Sequence, residues 1–171
     1  GPRAYSLASN CIKDKKTYQY LANHDILTGA KSRRYFEEFS HDFIIKRKSF
    51  EPFAFVMIDI DDFKSINDLY GHAVGDQVLQ YTAKEIQKHL FGFSDIIRYG
   101  GDEFILVLEL TDIKDIDQFL KDLIIGLKEN KPMEFDISYS YGYDLVKDRQ
   151  DLRDAIRQAD LRMYKMKNKI D

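Results

Sequence analysis

The chain has 171 residues, of which 44% are hydrophobic and 13% aromatic, which suits one globular domain with a substantial core and excludes a disordered chain. Its formal net charge of −3 excludes the strongly basic surface of a general nucleic-acid binder, so we expect no nucleic-acid partner. The single cysteine excludes an internal disulfide and indicates a reducing compartment. No apolar run approaches bilayer length and no secretory signal is recognised. We therefore expect a cytoplasmic fragment without membrane contact, with any membrane anchor of the parent protein lying upstream.

The N-terminal segment is predicted to be an appendage to the domain. Gly1-Pro2 is typical of the remnant of a cleaved expression tag, so we expect a longer native protein with an upstream sensor or regulatory domain. Residues 3–22 are mostly polar, with a narrow apolar seam formed by Leu7, Cys11, Tyr18 and Leu21. This pattern fits two structures about equally well, the end of a coiled-coil stalk or a terminal helix that packs on its own domain. The domain itself is predicted to comprise residues 23–171.

The remaining elements follow from hydrophobic periodicity and turn residues. In chain order we predict a helix from its cap Ser32 to about Lys48, a strand from Phe53 to Ile60, a short helix from Phe63 to Leu69, a long helix from Val74 to Leu90, strands over 95–99 and 103–110, a helix over 113–127, a strand over 134–143 and a helix over 152–167. The strands over 95–110 are expected to form a hairpin across the two-residue joint Gly100-Gly101. Helices that alternate with a sheet containing a hairpin favour an α+β domain, with helices packed over a largely antiparallel sheet.

Two acidic clusters lie where predicted strands meet loops. Asp59-Ile60-Asp61-Asp62 ends the first strand, and Gly100-Gly101-Asp102-Glu103 lies at the hairpin. Taken alone, aspartates at a strand end are most often solvated turn formers. Two adjacent glycines, however, indicate that a ligand approaches the backbone closely, and adjacent carboxylates repel each other unless a cation or a proton-accepting role offsets the repulsion. Because carboxylate and carbonyl oxygens are the ligands that Mg²⁺ prefers, the clusters predict a metal-assisted phosphoryl-transfer site.

The order and spacing of these motifs resemble the GGDEF family, the diguanylate cyclases that condense two GTP molecules into cyclic di-GMP. The resemblance covers about residues 24–168 and rests on His24-Asp25-Ile26-Leu27-Thr28-Gly29, Arg33-Arg34-x-Phe36, Asp59 to Asp68, Gly71-His72-x-x-Gly75-Asp76, Arg98 to Phe104, and Ala159-Asp160 through Tyr164 and Lys167. It implies a central, mainly antiparallel five-stranded sheet wrapped by helices, akin to polymerase palms and nucleotidyl cyclases. This agrees with the order of elements read from the sequence.

The resemblance also implies which residues carry the chemistry. Asp59, the carbonyl of Ile60 and Asp102 would hold two metal ions per active site, Mg²⁺ or alternatively Mn²⁺. Glu103, or alternatively Asp102, would accept the proton of the attacking 3′-hydroxyl. Lys64 would assist catalysis by neutralising the triphosphate.

A second set of residues is implied to bind GTP. This set comprises Asn67, His72, Asp76, Lys167 and the backbone N–H groups of Asp62 and Phe63. Asn67 and Asp76 would read the guanine edge, because its N1–H and N2 amine need an acceptor. Lys167 and the backbone N–H groups would contact the triphosphate.

The implied reaction requires two copies of the domain. Each 3′-oxygen attacks the α-phosphorus of the other GTP, and two pyrophosphates leave. Since one site holds one GTP, the resemblance implies an antiparallel homodimer, and a stalk over residues 3–22 would raise the local concentration of the two domains.

Several positions depart from the family pattern. Many members carry an Arg-x-x-Asp product-inhibition site where this chain has Phe91 and Ser94, so we expect that site to be absent. The other departures are Ala30, Ser32, Met166, Ile170 and Asp171. By the resemblance, Asp171 falls where a phosphate-binding arginine is expected, and its carboxylate would repel phosphate. This departure is either a true loss or an effect of truncation, and either would weaken triphosphate binding.

Two alternatives to the cyclase are compatible with the sequence. The chain could be a catalytically weak or inactive GTP-binding regulatory module of a larger signalling protein, although no metal or base carboxylate is missing. A mixed cyclic dinucleotide product is a second alternative, which Asp76 disfavours because a shorter hydroxyl there would be expected to relax guanine selectivity.

Overall fold

A computed structural model of the protein describes residues 14–45, 51–92, 94–148 and 151–170. Helix α1 covers residues 14–23 within this part of the chain. The elements that follow are β1 (Lys31–Ser32), α2 (Arg33–Ile45), β2 (Phe53–Ile60), α3 (Phe63–Tyr70), α4 (His72–His89), β3 (Asp95–Arg98), β4 (Glu103–Leu108), α5 (Ile113–Glu129), β5 (Tyr139–Val146) and α6 (Asp151–Lys167). None of the described helices is both long and apolar enough to cross a membrane.

The five strands form one sheet in the order β1-β3-β4-β2-β5. Strand β2 is antiparallel to both β4 and β5, β3 is antiparallel to β4, and only the two-residue β1 pairs in parallel, with β3. The predicted α+β class and the mainly antiparallel five-stranded sheet are therefore confirmed.

Strand β2 is buried on both faces, which explains its almost continuous apolar sequence. Ala54, Val56 and Ile58 lie in one core, which contains α4 and α5. Phe55 and Met57 lie in the other, which contains α6. Successive side chains of a strand point to opposite faces, so β2 contributes to both cores. Packing on both faces therefore holds the carboxyl end of β2 in a fixed position between the two cores.

Three sequence expectations need correction. The last strand begins at Tyr139 rather than at residue 134 and continues to Val146, because β5 pairs with β2 from Phe53↔Val146 to Ile60↔Tyr139 and β2 ends at Ile60. The hairpin joint is four residues long, 99–102, rather than the two glycines alone, and β4 ends at Leu108 rather than at residue 110.

The cap of α2 is as predicted, since Ser32 Oγ accepts a hydrogen bond of 3.2 Å from the N–H of Tyr35. The expected end of this helix near Lys48 lies outside the described residues, as does the part of the N-terminal segment before residue 14. In α1, Tyr18 is 72% exposed and Leu21 is 45% exposed. These two seam residues are therefore not buried against the domain.

Candidate active site at the carboxyl end of strand β2

Asp59 is the central acidic residue of the site. It lies in the sheet between Glu103 of β4 and Ser140 of β5, and it is only 7% exposed. The Lys167 Nζ of α6 donates to Asp59 Oδ2 at 2.8 Å. Asp59 Oδ1 is buried and has no hydrogen-bond partner among the described residues. A buried carboxylate oxygen without a partner is costly in a folded protein, so this atom indicates a place for a ligand.

Burial and neighbouring charges shift the pKa values of Asp59 and Glu103. Burial raises the pKa of Asp59, and the nearby Asp102 raises it further, while the hydrogen bond from Lys167 opposes both effects. Burial also raises the pKa of Glu103, with added repulsion from Asp59, Asp160 and Asp102. The hydrogen bond to Asp59 raises the pKa of Lys167. The site is therefore rich in negative charge, and Lys167 supplies a neighbouring cation.

A divalent cation fits this set of oxygens. Asp59 offers its unpartnered Oδ1, and the carboxylate of Asp102 lies close enough to perturb it. The backbone N–H of Ile60 donates to the Asp102 carbonyl at 3.1 Å, which ties the two predicted ligand segments together. Among the described residues, no group of three or more His, Cys, Asp or Glu is placed to hold a metal ion. The predicted site uses only two carboxylates and a backbone carbonyl, which is a sufficient protein contribution for Mg²⁺ when substrate phosphates complete its shell.

The glycine-rich turn over residues 99–102 is held by hydrogen bonds at its base. The N–H groups of Tyr99 and Gly100 donate to the carbonyl of Glu103, at 2.9 and 3.2 Å. A Cβ on Gly101 would meet no atom of the described chain within 4 Å, and neither Gly100 nor Gly101 has a positive φ. Neither packing nor backbone conformation therefore requires glycine at 101.

Arg98 connects this turn to the loop after α1. Its guanidinium donates to the carbonyl of Gly101 at 2.9 Å and to both carboxylate oxygens of Asp25, at 3.1 and 3.2 Å. Thr28 also donates to Asp25, from its backbone N–H and its hydroxyl. Sequence reasoning placed Asp25 and Arg98 in matching motifs but gave them no role, because an ion pair across 73 residues leaves no local pattern.

The predicted guanine-binding residues lie on α3 and α4. The side chain of Asn67 lies directly against Gly75, since a Cβ there would overlap Asn67 Oδ1 and would come within 3.3 Å of the Phe63 ring. Glycine at this helical position therefore makes room for Asn67. His72 and Asp76 are exposed, one turn apart at the start of α4.

The structure thus divides the predicted residues into two groups. One group lies at the end of β2 and comprises Asp59, Ile60, Asp102, Glu103 and Lys167. The other lies on the connection from β2 into α3 and α4 and comprises Asp62, Phe63, Lys64, Asn67, His72 and Asp76. Asp62 is the residue before α3 and has left-handed backbone angles, φ 53° and ψ 36°, and Lys64 is exposed.

A sequence model of the family described as "Diguanylate cyclase, GGDEF domain" matches residues 22–171. The chain therefore belongs to the GGDEF family. "Probable diguanylate cyclase DgcC" of Escherichia coli strain K12 is 31% identical over 170 residues, covering 96% of this chain and 46% of that protein. "Diguanylate cyclase A" of Treponema denticola is 32% identical over 178 residues, covering 95% and 46%. The chain thus spans about half the length of these relatives.

Solved structures show the same fold. The crystal structure of the coiled coil and GGDEF domain of DgcB from Caulobacter crescentus, in complex with c-di-GMP, superposes with a TM-score of 0.86. It covers 98% of this chain and 92% of that chain at 20% identity, so it supports the fold alone. The architecture is accordingly that of GGDEF domains, with the palm-like sheet of nucleotidyl cyclases.

Proposed function

We propose that this domain is a diguanylate cyclase, which condenses two GTP molecules into cyclic di-GMP and releases two pyrophosphates. The observation that carries the proposal is the buried, unpartnered Asp59 Oδ1 beside Asp102, Glu103 and Lys167. An oxygen-rich site with a neighbouring cation suits a bound triphosphate and its metal ions. Membership of the family gives this chemistry its expected substrate and product.

Asp59, Asp102 and the Ile60 carbonyl would hold the metal, two Mg²⁺ per site or alternatively Mn²⁺. When bound, Mg²⁺ would offset the negative charge that develops on the transferring phosphoryl group. Lys64 and Lys167 would neutralise the remaining triphosphate charge. The open space over Gly101 leaves room for a ligand to approach the backbone of the turn.

The guanine base would bind between α3 and α4. Asp76 would accept hydrogen bonds from the guanine N1–H and N2 amine, Asn67 would contact the same edge, and His72 would complete this part of the site. The backbone N–H groups of Asp62 and Phe63 would contact the phosphates. The left-handed conformation of Asp62 turns the chain sharply there, and successive N–H groups in such a turn favour anions.

Glu103 is the candidate general base. It pairs with Asp59 in the β2–β4 ladder, so its carboxylate lies beside a residue that would hold the metal. It would accept the proton of the partner nucleotide's 3′-hydroxyl as that oxygen attacks the α-phosphorus and pyrophosphate departs. Asp102 is the alternative base.

Catalysis would require an antiparallel homodimer, because each site holds one GTP. The exposed seam residues Tyr18 and Leu21 of α1 support a paired stalk over residues 3–22, followed by the cyclase domain over residues 23–171. The relatives' greater length is compatible with a further sensor or regulatory domain in the full protein, which we place upstream.

Product inhibition through an Arg-x-x-Asp site would be absent. Phe91 is 44% exposed and its ring lies 6.0 Å from that of Phe119, edge to face. Ser94 Oγ accepts a hydrogen bond from the N–H of Glu109. Neither side chain carries a charge for the phosphates or the guanine of cyclic di-GMP.

Purified protein incubated with GTP and Mg²⁺ over a range of protein concentrations tests the proposal, with products separated by chromatography. Cyclic di-GMP that increases more than linearly with protein is the expected result. GTP binding without product at any concentration would refute the cyclase and favour the GTP-binding regulatory module.

A further inference from the structure

The proposed function leaves one residue of the first acidic cluster, Asp61, without a role. Both of its carboxylate oxygens accept hydrogen bonds, Oδ2 from Ser138 Oγ at 2.8 Å and Oδ1 from Ser140 Oγ at 2.7 Å. Its backbone N–H donates to the Ser138 carbonyl at 2.8 Å. Asp61 is therefore bound at three points to the segment that enters β5, whereas Asp59 Oδ1 has no partner among the described residues.

These bonds hold the turn that connects β2 to α3. On the β2 side, the N–H of Ile60 donates to the carbonyl of Asp102. On the α3 side, Asp62 adopts left-handed angles, φ 53° and ψ 36°, although it is not glycine, and its side chain makes no capping hydrogen bond. Aspartate adopts this conformation more readily than most residues with a Cβ, but less readily than glycine, so neighbouring contacts help to hold it. The hydrogen bonds of the preceding residue, Asp61, help to fix it, together with the hydrogen bond of 3.2 Å that the Asp62 carbonyl accepts from the N–H of Ile66.

We propose that Asp61, Ser138 and Ser140 form a clamp that positions the β2–α3 turn for substrate. The proposal rests on the proposed function, because that function assigns the Ile60 carbonyl to the metal and the N–H groups of Asp62 and Phe63 to the phosphates. Asp61 is thus a positioning residue that acts through its neighbours on both sides. Ser140 is 2% exposed and lies opposite Asp59 in the β2–β5 ladder, so the clamp also supports the strand end that carries Asp59.

A role through charge, for example as a metal ligand, makes different predictions for the same residues. Ser138→Ala combined with Ser140→Ala removes both hydroxyl donors and keeps the Asp61 carboxylate. Asp61→Asn removes the charge but keeps both hydrogen bonds, because a serine hydroxyl can accept from the amide as readily as it donates. Asp61→Ala removes both the charge and the hydrogen bonds. The clamp therefore predicts that loss of the two serine hydroxyls reduces activity more than loss of the Asp61 charge does.

The test is the steady-state conversion of GTP to cyclic di-GMP by these variants, with kcat and KM for GTP determined separately. We expect Asp61→Ala and the double serine variant each to lose about 10- to 100-fold in kcat/KM, as is typical when a group that orients metal ligands is removed. Asp61→Asn should lose clearly less. Ser40→Ala is the matched control, since Ser40 Oγ has no hydrogen-bond partner among the described residues. A double serine variant as active as this control, with Asp61→Asn as impaired as Asp61→Ala, would overturn the clamp.

Hydrogen exchange of two hydrogen-bonded amides in the ligand-free protein gives a readout that does not depend on activity. These are the Asp61 N–H, which donates to the Ser138 carbonyl, and the Ile60 N–H, which donates to the Asp102 carbonyl. Faster exchange in the double serine variant than in Ser40→Ala is expected, and equal exchange would overturn the clamp. Ser138→Ala alone, at an exposed serine, is the variant to use if the double substitution prevents folding, and the same comparison applies to it. If the unsubstituted protein forms no cyclic di-GMP, the proposed function fails. The exchange rates still show whether the clamp holds the turn.

Discussion

Gly75→Ala should weaken GTP binding without destabilising the domain. A Cβ at this position would overlap Asn67 Oδ1 and would lie 2.9 Å from Asn67 Cγ, so the Asn67 side chain must rotate away. The nearest atoms belong to side chains rather than to the backbone, so the helix itself need not move. The substitution therefore displaces the Asn67 side chain, a proposed guanine-binding group, without changing its amide.

Gly75→Ala should affect stability and GTP affinity in opposite directions. Alanine is a better helix former than glycine by about 0.5–1 kcal/mol, which for a domain of this size corresponds to roughly 1–4 °C in Tm. Loss of one hydrogen bond to guanine, with the guanine donor left unpaired, costs about 1.4 kcal/mol, or about tenfold in affinity. We expect an unchanged or higher Tm together with a GTP affinity about tenfold lower.

The assay pairs thermal unfolding with calorimetric titration of a GTP analogue that has a non-cleavable α–β bridge. Asn67→Ala is the matched variant and should show a similar loss of affinity. Because both changes act through the same side chain, Gly75→Ala should cause no further loss when combined with Asn67→Ala. An unchanged affinity in Gly75→Ala, or losses that add in the double variant, would refute the reasoning.

Three further predictions concern stability and catalysis. Burial raises the pKa of Asp25, but hydrogen bonds from Thr28 and Arg98 outweigh burial and hold this pKa below its ordinary value. The resulting stabilisation is present above about pH 4 and is lost as the pH falls further. Asp25→Asn should therefore lower the free energy of unfolding at pH 7, as measured by urea titration. In this variant, the free energy of unfolding should also decline less steeply below pH 4 than in the unsubstituted protein. Glu103→Gln should reduce cyclic di-GMP formation about 10²- to 10⁴-fold while GTP binding is kept, as measured by single-turnover kinetics and titration. Gly142→Ala should destabilise the domain by more than about 3 kcal/mol in urea unfolding, because its Cβ would overlap the backbone of α6.

Each of these predictions has a result that would contradict it. A pH dependence of stability in Asp25→Asn equal to that of the unsubstituted protein would show that the ion pair with Arg98 does not contribute. Full activity of Glu103→Gln would transfer the role of base to Asp102. Gly101→Ala, whose Cβ meets no described atom within 4 Å, is the control for Gly142→Ala, and equal stability of the two variants would contradict the packing argument.

Much of the fold could be predicted from the sequence. The bounds of β2, Phe53–Ile60, were predicted correctly because a strand buried on both faces is apolar at nearly every position. The long helices were recognised because their apolar residues recur at helical spacing. The start of β5 could not be predicted, because it depends on where its partner β2 ends rather than on its own residues.

The candidate site divides in the same way. The residues of the site, including both acidic clusters and the glycine turn, could be predicted from local sequence motifs. These motifs are recognisable because their residues are close together in the sequence and have a characteristic spacing. Only the tertiary structure decided that Lys167 contacts Asp59 across 108 residues, that Arg98 joins Asp25 to the glycine turn, and that two serines of the β5 segment hold Asp61. A contact between distant segments is set by how the sheet and helices pack together, and that packing leaves no periodic pattern in the sequence on either side.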